Sequence, residues 1–247
     1  KKSDIKKMVK LRSKIVLLGD PTVGKTSIVK KLLDVSDFPL QYAATKGVSL
    51  ETVTIPLKLN NKPDENTSSE DPYDGEQSDN DKVEKSFAEK EKPKIDRGEN
   101  DGHAVEMLLF DIGGLDIYKM NLPKYLNNIN AYMLVYDVTN PESFMNVAKW
   151  LDNTQKAIGQ TDEQVLTSKA SQPFGMLIAN KTDAKGNAKI SRQQGEQFAT
   201  KHHLAFFELS AANNAVDEPF QYAASKLHGL YKEAVDQVQY MCENKSW

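Results

Sequence analysis

Glycines at both ends, then a lysine and a threonine, mark the run Gly19-Asp20-Pro21-Thr22-Val23-Gly24-Lys25-Thr26. Upstream, Lys14–Leu18 (KIVLL) is a short apolar stretch that ends at Gly19 and reads as a buried parallel strand. Downstream, Thr26–Leu33 places Ile28, Val29, Leu32 and Leu33 at helical spacing. A strand, a glycine loop and a helix in that order make an anion site, because free backbone N–H groups and the helix dipole point at one place. The loop N–H groups from Asp20, Thr22, Val23 and Gly24 through Ser27 are placed to wrap phosphates. Lys25 is expected to reach the β/γ oxygens, and the Thr26 hydroxyl to ligate Mg²⁺. A chance match in a loop is disfavoured by this placement between strand and helix. Alone, the run specifies only a nucleoside triphosphate.

The rest of the chain alternates strands with helices. Ser49–Leu59 and Ala104–Phe110 read as strands that pair as a hairpin around the intervening segment. Ala131–Asp137 (AYMLVYD) and Phe174–Ala179 (FGMLIA) are near-continuous apolar strands, and Ala205–Leu209 is another. Helical patterns follow at Pro141–Leu151, Ser191–His202 and Pro219–Cys242. This order predicts an α/β fold with a mostly parallel six-stranded sheet and helices on both faces.

One stretch departs from this pattern. Asn60–His103 holds 14 acidic residues and 7 basic ones, about −7 in a chain of net charge −3. Its few apolar residues cannot offset the entropy of ordering it, so disorder is expected, with at most a marginal helix near Val83–Glu91. The remainder is close to +4 and of ordinary apolar content, which predicts a single domain over residues 1–247 interrupted at 60–103. One cysteine, Cys242, excludes an intramolecular disulfide framework and fits a reducing compartment. No apolar run approaches the ~18 residues that span a bilayer. Nucleic-acid binding is not expected from so modest a charge, and the basic residues near Lys1–Arg12 read as a solvated arm.

Three further segments carry chemistry. Asn180-Lys181-Thr182-Asp183 follows an apolar strand, at the edge where ligands of such sheets bind. A carboxylate at Asp183 accepts from both N1–H and the exocyclic amine of guanine; adenine would leave it unpaired. Asp111-Ile112-Gly113-Gly114 also reads as lying just beyond a strand. Asp111 is expected to hold Mg²⁺ through water, and the Gly114 N–H to approach the γ-phosphate. Ser210-Ala211-Ala212, at a third strand end, can present a backbone N–H to the guanine O6.

GDPTVGKT, a Thr45 before Gly47, DIGG, NKTD and SAA occur in the order and approximate spacing of the Ras/Rab small GTPases. The chain resembles that family from about Val9 to the final helix, apart from the insertion. The resemblance implies the small-GTPase fold, GTP/GDP as ligand and Mg²⁺ as its companion. It implies that Thr45 closes on Mg²⁺ and the γ-phosphate, making Thr26, Thr45 and Asp111 the metal set. It also matches Phe38 to an aromatic that packs edge-on against guanine and Tyr42 to a tyrosine that folds over the phosphates. For Phe38 an ordinary helix-end hydrophobe is the equal alternative.

The departures from the family pattern matter as much. Leu115 follows DIGG where the family usually has the glutamine that orients the attacking water. Pro21 replaces a glycine and removes one backbone donor near the γ-phosphate. No catalytic residue is assigned, and slow or negligible hydrolysis is expected. Cys242 precedes Glu-Asn-Lys-Ser-Trp, neither a terminal cysteine pair nor a prenylation box, so no direct lipid anchor is expected.

In the final helix, Phe220, Ala223, Leu227, Leu230 and Tyr231 form one stripe expected to pack on the sheet. The apolar period continues through Ala234, Val235, Val238 and Met241, which reads as a partner-binding extension rather than a frayed tail.

MVKL at Met8–Leu11, LVYDVTNPESF at Leu134–Phe144, EPF at Glu218–Phe220 and LYKEAV at Leu230–Val235 resemble the Rab-like branch that serves intraflagellar transport. That implies an obligate partner, intraflagellar transport protein 25, docked partly on the final helix. It implies membership of complex B, a role in ciliary assembly and cargo export, and a place in cytoplasm and cilium or flagellum with its basal body. The alternatives are a Rab-type switch in vesicle traffic cycling with an activating protein, and a pseudo-GTPase that holds nucleotide permanently.

Overall fold

The computed structural model describes residues 9–34, 44–57, 103–159, 172–213 and 216–244. Phe38, Tyr42 and the insertion up to residue 102 lie outside them. Six strands form one sheet: β1 (Val9–Leu18), β2 (Val48–Pro56), β3 (His103–Ile112), β4 (Ala131–Asp137), β5 (Phe174–Asn180) and β6 (Ala205–Glu208). Their spatial order is β2-β3-β1-β4-β5-β6, antiparallel only where β2 meets β3. Every other pair is parallel, joined by helical crossovers.

β1 shows why the sheet is covered twice. Ile15, Val16, Leu17 and Leu18 are all fully buried, and successive residues face opposite sides. Ile15 and Leu17 join a core with Ile28 and Val29 of α1 (Lys25–Leu32) and Phe220 and Ala223 of α6 (Asp217–Asn244). Val16 and Leu18 join the other, with Leu122 and Leu126 of α3 (Leu122–Leu126) and Val147, Trp150 and Leu151 of α4 (Pro141–Gly159). Ala199 of α5 (Arg192–Lys201) closes that layer. Phe220 is wholly buried; truncation to alanine would cost about 3–5 kcal/mol.

The structure differs from expectation at several element ends. β1 begins at Val9 rather than Lys14, because Val9–Ser13 pairs with His103–Met107 of β3. Its polar residues have partners of their own: Arg12 Nε donates to Glu106 at 2.7 Å and Lys14 Nζ to the Asn127 carbonyl at 2.9 Å. α4 runs to Gly159, not Leu151, since Thr154 and Ala157 extend the buried stripe. Thr154 tolerates that position by donating its hydroxyl to the Trp150 carbonyl at 2.7 Å.

Asp111 and Asn180 lie inside the ends of β3 and β5 rather than beyond them. Two short helices not predicted, α2 (Asp116–Lys119) and α3, follow DIGG. In α6 the stripe leaves the sheet early. Tyr231 is 44% exposed, and Val235, Val238 and Met241 are exposed too. Among the described residues no helix is long and apolar enough to cross a membrane.

Candidate functional site

The carboxyl ends of β1, β3 and β5 converge on one cleft of about 360 Å³. Gly19 opens the loop at φ 142, and a Cβ there would lie 2.2 Å from the Val135 carbonyl oxygen. Gly24 closes it in the left-handed region, φ 98, where a Cβ would meet Asn180 Nδ2 at 2.3 Å. Both positions therefore require glycine. No side chain caps α1 at Gly24, so its first-turn N–H groups face the cleft uncommitted.

Lys25 is buried, and its ammonium donates to the carbonyls of Gly19 at 2.7 Å and Asp20 at 2.8 Å. Burial pushes its pKa down to about 8, opposed by the charges of Asp111 and Asp20. The lysine is thus held by its own loop, pointing along the wall where an anion would sit.

Thr26, Thr45 and Asp111 come together from α1, the segment before β2, and β3. The Thr26 hydroxyl donates to Asp111 Oδ2 and lies 2.9 Å from the Thr45 hydroxyl. Asp111 Oδ1 is buried with no hydrogen-bond partner. Burial raises the Asp111 pKa, countered by the Thr26 hydroxyl and Lys25. An orphaned carboxylate oxygen beside two hydroxyls is a hard oxygen set that fits a small divalent cation.

Asn180 is fully buried and acts as a staple. Its Nδ2 donates to the Val23 carbonyl at 2.8 Å, and its Oδ1 accepts from the Ala211 N–H at 3.3 Å. Asp183 sits exposed at the cleft mouth, turned by the Ser210 hydroxyl, which donates to its Oδ1 at 2.6 Å. Lys181 adopts φ 67 and pairs with Asp137 at 2.5 Å. Burial pushes Asp137 up, but hydrogen bonds from Lys181 and Thr139 outweigh it and hold its carboxyl below the usual range.

Gly114 packs directly on the loop: a Cβ would lie 2.3 Å from Pro21 N and 2.4 Å from Asp20 C. Leu115, 46% exposed, presents a hydrocarbon to the cleft and no polar group.

Pro21, Thr22, Gly24–Ser27, Thr45, Gly114, Asn180, Lys181, Asp183, Ala211 and Ala212 all line this cleft. Asp20, Val23 and Ser210 do not. The Asp20 side chain turns to α4, Val23 is buried in the core, and Ser210 acts through Asp183. Lys30 and Ala44 also line the cleft, and the sequence pattern did not single them out. Lys30 is one turn beyond Thr26 on α1, the only signal that could have found it.

A mostly parallel sheet with a glycine loop, an acidic strand end and an NKTD turn around one cleft defines a guanine-nucleotide-binding protein of the Ras type. The Ras family model matches residues 80–229, and the chain belongs to that family. GTP or GDP is the ligand that membership implies. The chain is similar to the intraflagellar transport protein 27 homolog of Bos taurus, 31% identical over 94% of this chain and 98% of the relative. It is similar to the homolog of Trypanosoma brucei brucei, 26% identical over 95% of this chain and 100% of that one. Ras-related protein Rab-10 of Caenorhabditis elegans is 26% identical over 91% of this chain and 85% of its own length.

Proposed function

We propose that this chain is a GTP-binding, Rab-like subunit of intraflagellar transport complex B with slow or negligible intrinsic hydrolysis. Similarity to intraflagellar transport protein 27 homologs along nearly the whole chain supports the pathway. The observation that carries the weak clock is Leu115. It lines the cleft beside Gly114, where a hydrogen-bonding side chain would have to hold the attacking water. A leucine neither orients water nor stabilises developing charge.

The binding half of the site has what it needs. Lys25 and the α1 N-terminus take the β/γ oxygens, Asp183 accepts from the base, and the Ala211 or Ala212 N–H meets its carbonyl. Thr26, Thr45 and Asp111 would hold Mg²⁺, which supplies charge neutralisation between the phosphates when bound. The ligand would make Thr45 and Gly114 part of one surface, so that GTP conditions the shape presented to partners.

Intraflagellar transport protein 25 and other complex B subunits are the proposed partners, with the exposed face of α6 as one contact, in cytoplasm and cilium. The test is single-turnover hydrolysis of bound GTP beside an ordinary Rab. Turnover at the Rab rate would remove the weak-clock reading. The similarity to Rab-10 favours a second reading, a vesicle-traffic switch driven by an activating protein. Hydrolysis strongly stimulated by an arginine-bearing activator would select it.

A further inference from the structure

Asp20 lies in the glycine loop, yet its carboxylate faces helix α4 and forms no wall of the cleft. Oδ1 accepts from Trp150 Nε1–H at 2.8 Å, and Oδ2 accepts from Asn146 Nδ2–H at 2.7 Å. The two donors sit one turn apart on α4, so the carboxylate is gripped at both oxygens. The backbone carbonyl of the same residue accepts from Lys25 Nζ at 2.8 Å. Gly114 packs against that backbone. One residue therefore connects the phosphate-side lysine, the end of DIGG and the middle of α4.

Trp150 has a second neighbour. It is 1% exposed, and the Lys119 ammonium of α2 stands 4.6 Å from its ring centroid. Lys119 is also held by Asp116 at 2.6 Å. α2 begins two residues after Gly114. Any ligand group that displaces or fixes Gly114 therefore moves or fixes α2. The segments before β2 and after β3 are closed on each other here: the Thr45 hydroxyl lies 2.9 Å from that of Thr26, and the Gly113 N–H donates to the Gly47 carbonyl at 2.8 Å.

We propose that Asp20 and Trp150 are positioning residues that couple α2 to the grip on the nucleotide. The indole N–H fixes the loop through Asp20, and the indole face receives Lys119 when the segment after Gly114 is closed. Asp20 serves diphosphate and triphosphate alike, because both depend on Lys25. The Lys119–Trp150 contact serves the closed arrangement, so by linkage it favours the triphosphate over the diphosphate. The inference rests on the guanine-nucleotide reading above.

The test uses the full chain and measures dissociation of GDP and of a non-hydrolysable GTP analogue. Lys119→Met should speed release of the triphosphate analogue by about three- to tenfold, the scale of one partly desolvated cation–π contact, and leave GDP release unchanged. Asp20→Asn, which keeps one acceptor for the indole N–H, should speed release of both. The chain has two tryptophans, Trp150 and Trp247. In Trp247→Phe, exchanging GDP for the analogue should shift the emission of Trp150, and adding Lys119→Met should abolish the shift. Equal acceleration of both nucleotides by Lys119→Met, or an emission shift that survives it, overturns the coupling. Failure of the unaltered chain to bind either nucleotide overturns the guanine-nucleotide reading itself, and the coupling with it.

Discussion

Asn180 joins two loops through one amide: it donates to the Val23 carbonyl at 2.8 Å and accepts from the Ala211 N–H at 3.3 Å. The first residue of the NKTD turn thereby holds the glycine loop and the SAA loop in register, although it also borders the cleft. Asn180→Ala leaves a buried carbonyl and a buried N–H unpaired. A loss of about 1–3 kcal/mol for each is expected. Urea denaturation should show the stability loss, and faster GDP release should accompany it.

In the proposed site, base choice would rest on Asp183, whose Oδ1 accepts from the Ser210 hydroxyl at 2.6 Å. Asp183→Asn should cost about 2–5 kcal/mol of guanine-nucleotide affinity. The new amide offers a donor where xanthine carries a carbonyl in place of the exocyclic amine, so xanthosine nucleotides should bind the variant better than guanosine ones. Competition between the two nucleotides measures it, and retained guanine preference would sink the assignment.

Leu115 is half exposed, so a polar replacement removes little buried apolar surface. Leu115→Gln restores a group able to orient water, and single-turnover hydrolysis should rise by about tenfold or more. No gain would mean that Pro21, which lacks a backbone donor, limits the reaction instead.

Acid sensitivity is expected at the other end of the sheet. His228 of α6 meets His103 of β3 edge to face, ring centroids 5.2 Å apart. Partial burial, then the charges of His103 and Lys232, lower the His228 pKa from its ordinary 6.5. The unfolded chain therefore takes up that proton first, and stability is full above the ordinary pKa and falls as pH drops through it. Denaturation midpoints at about pH 7.5 and about pH 5.5 should differ more for this chain than for His228→Leu.

Beyond Leu230, two apolar residues of α6 stay uncovered among the described residues: Val235 is 42% and Val238 57% exposed. Replacing both with lysine should change stability by no more than about 0.5 kcal/mol each. Capture of intraflagellar transport protein 25 in co-expression should be lost. Unchanged capture would remove this face from the proposed interface.

Much of this was legible in the linear sequence because the signals are local. Gly19 and Gly24 punctuate a strand-to-helix turn, β4 and β5 are unbroken apolar runs, and Asp183 follows β5 at fixed spacing. Each of these needs only neighbours in the chain. The length of β1 was not legible, since Lys10, Arg12 and Ser13 break the apolar run ahead of Lys14, and Arg12 finds its partner in Glu106, 94 residues away. Tyr231 read as core for the opposite reason: its period on α6 is right, but it lies at the rim of a groove beside Leu11 and Arg12 of β1 and stays 44% exposed.

The sequence by itself determined the chemistry available: an ammonium, two hydroxyls, two carboxylates and a leucine at stated positions in known order. Only the tertiary structure decided what each group faces. It turned the Asp20 carboxylate away from the cleft and onto Trp150, left one oxygen of Asp111 buried and unpaired, and made Asn180 a staple between loops. Those assignments depend on which distant residues the fold alone brings within hydrogen-bonding distance, and no local pattern encodes that.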